Sequence, residues 1–233
     1  MKALLFDCDG VLVDTERDGH RIAFNLAFKQ KGFNIEWDIE LYGKLLEIAG
    51  GKERMIYFFD QSGWPETGNR DSLIKELHQL KTDKFMQIIE NGELPLRPGV
   101  ARLIDEAIAE GIKLAVCSTS NERAVNLIVE ILLGPSRKKH FSGIFAGDIV
   151  IKKKPDPEIY LLASGKLNTE HSECMVIEDS RIGLLAAKAA GMKCLITKSV
   201  YTAGEEFTEA DLVVDELGDD NEKIISIHNL KKL

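Results

Sequence analysis

Asp7 and Asp9 are the first residues in this chain whose types and spacing could do chemistry. They close a short apolar run, Ala3-Leu-Leu-Phe6, and are followed by Gly10. Such a run reads as a strand buried on both faces. Residues two apart project to one side of an extended chain, so the two carboxylates can converge where the strand ends. Two acids brought together away from water repel unless a proton or a cation intervenes. The plain alternative is a surface turn, because Asp-Gly is a common hairpin signal.

Three later stretches have a similar character. Ser118-Thr119-Ser120-Asn121 follows the apolar run Lys113–Cys117 and leads into a helical pattern. Hydroxyls and free backbone N–H groups at a helix start can cradle an oxyanion, although N-capping by Ser120 would account for the same residues. Glu178-Asp179-Ser180 again places two acids before a helix. A capped helix with favourable acid–dipole contacts is the structural alternative there. In Lys152-Lys-Lys-Pro-Asp-Pro157, Asp156 is predicted to cap a helix and Pro157 to be its first residue. Lys154 then lies on a stiff segment, while Lys152 and Lys153 read as a solvated face.

Taken together, these stretches describe one site. All-oxygen carboxylate sites with open positions suit Mg²⁺, which keeps several waters and accepts phosphate oxygens. The predicted ligands are Asp7, Asp179 and the backbone carbonyl of Asp9, with Glu178 binding directly or through water. A phosphate dianion could approach such acids only with Mg²⁺ and Lys154 offsetting the charge. Phosphoryl transfer asks chiefly for positioning and electrostatic stabilisation.

The periodicity of the chain shows what must position these groups. Residues 15–95 have helical spacing almost throughout, with breaks at Lys31-Gly32, Gly50-Gly51 and Ser62-Gly63-Trp64-Pro65. Beyond Leu94-Pro-Leu-Arg-Pro-Gly99 strands and helices alternate. Strands are predicted at Lys113–Cys117, Gly143–Ala146, Glu173–Ile177, Lys193–Thr197 and Leu212–Val214. Helices are predicted at Val100–Glu110, Asn121–Leu133 (stopped by Gly134-Pro135), Asp156–Ser164 and Ile182–Ala190. Alternation of this kind implies an α/β, Rossmann-like doubly wound parallel sheet covered on both faces. The first strand joins that sheet, so residues 1–14 and 96–233 form the core and residues 15–95 an inserted all-helical cap. Ligands of such sheets bind beyond the carboxyl ends of the strands, where Asp7 and Asp9 lie.

Composition sets the outer limits. The 233 residues are 44% hydrophobic and 29% charged, with a net charge of −8, which argues against nucleic acid or an anionic membrane as partner. No apolar run reaches 18 residues, so no membrane span is predicted. Met1 leads straight into the first strand, so no targeting segment is expected in this chain. Cys8, Cys117, Cys174 and Cys194 are scattered without metal-ligand spacing and read as buried, reduced thiols.

With these motifs in order, Phe6-Asp-Cys-Asp-Gly-Val11, Ser118, Lys154-Pro155 and Glu178-Asp179-Ser180, the chain resembles the haloacid dehalogenase superfamily of phosphohydrolases. The insertion after the first motif resembles the helical-cap subclass near beta-phosphoglucomutase. Asp14-Thr-Glu-Arg-Asp-Gly-His20, Gly50-Gly-Lys-Glu-Arg54, Cys117-Ser-Thr-Ser-Asn121 and Lys152-Lys-Lys-Pro-Asp-Pro157 are similar to CbbY-type sugar phosphatases of photosynthetic organisms. The resemblance implies a sugar phosphatase acting on xylulose-1,5-bisphosphate, in the plastid stroma or otherwise the cytoplasm. A sugar phosphomutase, or a catalytically silent sugar-phosphate-binding module, is the competing reading.

In the phosphatase reading Asp7 attacks phosphorus and Asp9 shuttles the proton. Ser118, with Thr119 and Asn121 beside it, binds phosphoryl oxygens, and Lys154 offsets their charge. In the cap, Lys52 and Arg54 are predicted to take a second phosphate at a helix start, and Glu16 and His20 sugar hydroxyls. Each also has a bland reading, as a solvated helix charge or an amphipathic-face residue. Tyr42, Phe58, Phe59 and Trp64 are predicted as cap core. A monomer is expected, with a small sugar phosphate as its partner.

Overall fold

Ala3–Phe6 (β1) is a continuous apolar run with every residue buried, as a strand flanked by others on both sides requires. The computed structural model describes residues 1–66, 68–219 and 224–233. In it β1 pairs in parallel with Lys113–Cys117 (β2) on one side and with Cys174–Glu178 (β4) on the other. Phe141–Phe145 (β3) extends the sheet beyond β2, and Lys193–Thr197 (β5) and Leu212–Val214 (β6) beyond β4. All pairings are parallel, in the order β3-β2-β1-β4-β5-β6. The chain therefore builds outward from β1 in one direction and then in the other, and the reversal opens a crevice at the carboxyl ends of β1, β2 and β4.

Helices cover the sheet. Glu158–Leu167 (α8) packs on β1, β2 and β3, and Arg181–Ala189 (α9) on β4 and β5. They bury Ile159, Tyr160, Ala163, Leu184 and Ala187 against Leu5, Ala115, Val176 and Ile196. Leu4, Phe6, Leu114 and Val116, which alternate with that set, are as fully buried. Val100–Ala109 (α5) packs against β2, with Leu103 and Ile104 in the core. The four cysteines are free thiols and buried.

Several predicted boundaries move. β3 runs over Phe141–Phe145 rather than Gly143–Ala146. β4 runs over Cys174–Glu178, so Glu178 is the strand's last residue instead of the first beyond it. Glu122–Ile128 (α6) continues through a π-helical stretch, Val129–Leu133, and a further turn, Gly134–Lys138 (α7), follows. Gly134, at φ +75° and ψ 164°, ends the first helical path as expected, and Pro135 sits in the first turn of the next, where its missing N–H costs nothing. Pro157 is the residue before α8 rather than its first, its carbonyl accepting from the Leu161 N–H at 3.0 Å, and Asp156 Oδ1 accepts from the Glu158 N–H at 3.1 Å.

The chain divides into two compact units, Met1–Asp14 with Leu94–Leu233, and Thr15–Glu93. Leu94 and Leu96 fall on the sheet side, where Val13 bridges Leu96 and the Arg97 N–H donates to the Leu12 carbonyl at 2.9 Å.

The second unit is helical among its described residues. It comprises a π-helical turn, Thr15–His20, then Arg21–Gln30 (α1), Ile39–Leu45 (α2), Gly51–Ser62 (α3) and Arg70–Glu90 (α4). Asp38 and Asn69 cap α2 and α4 by accepting from Leu41 N at 2.7 Å and Ser72 N at 3.0 Å. The core is aromatic. Trp37 stands 4.7 Å from Phe24 and 4.9 Å from Phe28 between ring centroids, with Tyr42, Phe58 and Phe59 around them. Among the described residues no helix is long and apolar enough to cross a membrane.

Candidate active site

Three strand ends and one loop meet at the carboxyl edge of the sheet. Asp7 is the residue after β1 and is tied to β4 by its N–H, which donates to the Ile177 carbonyl at 2.9 Å. Lys154, on the loop before α8, donates to Asp7 Oδ1 at 2.6 Å, Glu178 Oε1 at 2.6 Å and the Cys117 carbonyl at 2.9 Å. One ammonium thus joins β1, β2 and β4. Its side chain is only 4% exposed, so all three donors serve protein acceptors.

Asp9 turns away from this cluster. Its Oδ2 accepts from Ser118 Oγ at 3.3 Å and from Ser120 Oγ in a closer contact. Ser120 therefore serves Asp9, and the cap of α6 is Asn121, whose Oδ1 accepts from the Ala124 N–H at 3.2 Å. Ser118 is buried at the end of β2, its hydroxyl accepting from the Ser120 N–H at 3.1 Å. Thr119 is exposed on the same turn. Of the neighbouring lysines, Lys152 stays exposed. Lys153 departs from the solvated reading: it donates to the Gly147 carbonyl and to Asp148 Oδ1 and braces that turn.

Gly10 lies at φ +72°, in the left-handed region, and a Cβ there would overlap the Asp179 carboxylate. Glycine is needed on both counts. Ser199 hydrogen-bonds Asp179. Arg97 gathers the surroundings, donating to the carbonyls of Gly10, Thr197, Lys198 and Asp215.

The electrostatics show what this edge demands. Burial, reinforced by Glu178 and Asp9 and opposed by Lys154, pushes Asp7 well above the usual carboxylate range. Burial and the neighbouring Glu178 push Asp179 up to about 8. Burial works against the Lys154 ammonium, but Asp7 and Glu178 more than compensate and hold its pKa above the usual lysine value. The acids carry more negative charge than Lys154 offsets. Asp7, Glu178 and Asp179 each present a carboxylate oxygen within 4.8 Å of the others. Buried, crowded, all-oxygen donors fit a hard divalent cation.

The helical unit has its own polar cluster. Tyr42 donates to Glu16 Oε2 at 2.6 Å and accepts from Arg54 Nη1 at 3.0 Å. Arg54 is buried and also donates to the carbonyls of Leu45 at 3.0 Å and Ile48 at 3.3 Å. It is not a solvated helix charge; it fastens the α2–α3 connection. Lys52 is exposed beside it. The start of α3 is shared with Glu53, whose carboxylate folds back to where a Cβ on Gly50 would lie. His20 Nδ1 is 3.0 Å from Lys81 Nζ and packs on Phe85, with ring centroids 3.8 Å apart. Tyr42 belongs to both the aromatic core and this network, so the cap-core reading of it was incomplete.

Sequence reasoning passed over Lys81, Arg97, Ser120 as a partner of Asp9, and Tyr160. Lys81 sits in a polar-rich helix and Tyr160 on an apolar helix face, so neither type nor spacing marked them. Arg97 carried a signal: an arginine in a Pro-flanked segment re-entering the sheet, among strand-end carbonyls that need donors.

The parallel sheet, the acid pair after its first strand and the lysine and second acid pair at its edge define a class. Residues 1–191 match the haloacid dehalogenase-like hydrolase family, and the chain belongs to it. The chain is 58% identical over 226 residues to the CBBY-like protein of Arabidopsis thaliana, covering 95% of this chain and 70% of that one. A crystal structure of CbbY from Rhodobacter sphaeroides with phosphate superposes with a TM-score of 0.77 at 38% identity, covering 99% of both chains. A mutant CbbY from the same organism, crystallised with xylulose-(1,5)bisphosphate, gives a TM-score of 0.74 at 39% identity, covering 94% of this chain and 96% of that one. The protein is a CbbY-like phosphatase of this hydrolase family.

Proposed function

We propose that the protein is a Mg²⁺-dependent phosphatase of sugar bisphosphates, with xylulose-1,5-bisphosphate as substrate, working through an aspartyl-phosphate. One observation carries the reading: Asp7 is paired with Lys154, while Asp9, two residues on, is held apart by Ser118 and Ser120. Two neighbouring aspartates in different surroundings suit different roles. Asp7 is the nucleophile. Its oxygen bonds to phosphorus as the bond from phosphorus to the sugar oxygen breaks, and Asp9 gives that oxygen its proton. Asp9 then takes a proton from water as the water's oxygen attacks phosphorus, releasing phosphate and restoring the Asp7 carboxylate.

Lys154, Ser118 and the backbone amides beyond it neutralise the phosphoryl oxygens. Asp7, Asp179 and the Asp9 carbonyl would hold Mg²⁺, with Glu178 beside them, and the ion would offset charge that Lys154 alone leaves uncompensated. On the helical unit, Lys52 and Arg54 take the second phosphate, and Glu16 and His20 the sugar hydroxyls. Support for the substrate comes from the xylulose-(1,5)bisphosphate bound to the mutant CbbY relative. A stromal location belongs to the same proposal.

A phosphate-release screen with Mg²⁺ over pentulose and hexose mono- and bisphosphates tests it. Xylulose-1,5-bisphosphate is expected to give the highest kcat/KM. Preference for monophosphates would overturn the substrate. An isomerised sugar phosphate without free phosphate would establish a mutase instead.

A further inference from the structure

Tyr160 takes no part in the chemistry just described, yet its hydroxyl lies beside it. The side chain is on α8, fully buried. Phenylalanine would fill the same core position, so packing does not account for the hydroxyl. That hydroxyl donates to Glu178 Oε1 at 2.6 Å, the oxygen that also accepts from Lys154 at 2.6 Å. The Lys154 ammonium is also 5.0 Å from the centroid of the Tyr160 ring, within range of a cation–π contact.

We infer that Tyr160 is a positioning residue: its hydroxyl fixes the Glu178 carboxylate and, through it, the Lys154 ammonium that faces Asp7. The inference rests on the aspartyl-phosphate reading and adds a member to it. Glu178 is held from every side. Oε1 accepts from Tyr160 and Lys154, and Oε2 from the Asp179 N–H at 3.1 Å and Ser180 Oγ at 3.3 Å. Those four donors fill the lone-pair sites of a carboxylate. On its remaining flank is Gly183 of α9, where a Cβ would overlap the carboxylate. A group so committed orients the lysine. Lys154 bonds Asp7, Glu178 and the Cys117 carbonyl at once only while Glu178 keeps its place, and a small displacement of a charged group from a reacting centre is costly. The Tyr160 hydroxyl holds Glu178 there.

The test compares Tyr160→Phe with Ile159→Val, which loosens the same helix but leaves the hydroxyl in place. Hydrolysis of p-nitrophenyl phosphate with Mg²⁺ gives kcat and KM, and calorimetry with beryllium fluoride and Mg²⁺ reads the lysine without turnover. Tyr160→Phe is expected to lower kcat and beryllium fluoride affinity about tenfold, with KM within about twofold of wild type. Both variants should melt a few degrees lower, and Ile159→Val should keep wild-type kcat and affinity. Unchanged kcat and affinity in folded Tyr160→Phe, or equal losses in Ile159→Val, would overturn the inference. Failure of the sugar-phosphatase reading looks different: the wild type would release no phosphate from any sugar phosphate, while the two variants still separate in calorimetry.

Discussion

In the proposed mechanism Asp7 must be ionised to attack phosphorus, yet burial and two nearby acids favour its protonated form. The proposed site resolves the conflict with charge: the Lys154 ammonium at 2.6 Å, and a divalent cation shared with Asp179. Asp7→Asn retains the shape of the site but has no anionic oxygen to form the ester. It is expected to fold normally and lose at least about 10⁴ in kcat, the scale of removing a nucleophile, as a single-turnover phosphate-release assay would show. Gly10 is the second residue on which the site turns. Gly10→Ala forces a side chain into the left-handed region, costing about 1–2 kcal/mol, and drives its Cβ into the Asp179 carboxylate. The expected result is a slightly lower Tm and at least about tenfold weaker Mg²⁺ activation, measured by titrating the metal against rate. Wild-type Mg²⁺ dependence would show that Asp179 yields without consequence.

At the scale of elements, the proposed catalytic edge exists because β1, β2 and β4 are neighbours and all run parallel. Their carboxyl ends bring Asp7, Cys117-Ser118 and Glu178-Asp179 together, and the loop before α8 closes the set with Lys154. The local rules of capping were less informative. Ser120 and Asn121 are both good helix caps by type, and the choice fell to Asn121 because the Ser120 hydroxyl reaches Asp9.

In the helical unit, α4 brings Lys81 to His20. Burial, with Lys81 and Arg54 nearby, holds His20 well below its usual value, and burial brings Lys81 down to about 8. In each case the unfolded chain binds the proton more readily, so stability rises with pH through the window between folded and unfolded values. For His20 stability is complete above about 6.5 and is lost as pH falls below it; for Lys81 it grows from about 8 to 10.5. The His20 contribution to a denaturant melt should therefore fall by up to about 1.4 kcal/mol per pH unit below pH 6.5, against the opposite contribution of the raised Asp7 and Asp179, and is read as the difference between wild type and a His20 variant. Relative to His20→Gln, the wild type should lose stability as pH falls below 6.5, and parallel pH profiles for the two would locate the titration elsewhere.

For the whole molecule, a net charge of −8 makes a general affinity for anions improbable, so a doubly anionic substrate calls for local cations. The proposed assignment gives the reacting phosphate to the sheet edge and the second phosphate to Lys52 and Arg54. The two cations are not equivalent, because Arg54 is buried and bonded to two backbone carbonyls whereas Lys52 is exposed. Lys52→Ala should raise KM for xylulose-1,5-bisphosphate by roughly three- to tenfold, the worth of about one surface charge contact. Its Tm and its rate on p-nitrophenyl phosphate should be unchanged. Arg54→Ala should raise the same KM and also lower Tm. Equal losses on both substrates in Lys52→Ala would remove it from the second-phosphate role.

The sequence by itself determined the parallel sheet, and it marked the helical segment after the first strand and the acids and lysine that lie at the carboxyl edge of the sheet. Each left a local signature: apolar runs of strand length, helical spacing, acids placed immediately after strands. Only the tertiary structure decided how those groups are shared. Whether Glu178 faces Lys154, whether Ser120 caps a helix or holds Asp9, and what Tyr160, Arg97 and Lys81 touch depend on side chains far apart in sequence. Lys154 is 147 residues from Asp7, and no local spacing could specify a 2.6 Å contact between them. That contact follows from strand order and register, and these are settled when both faces of the sheet are buried at once.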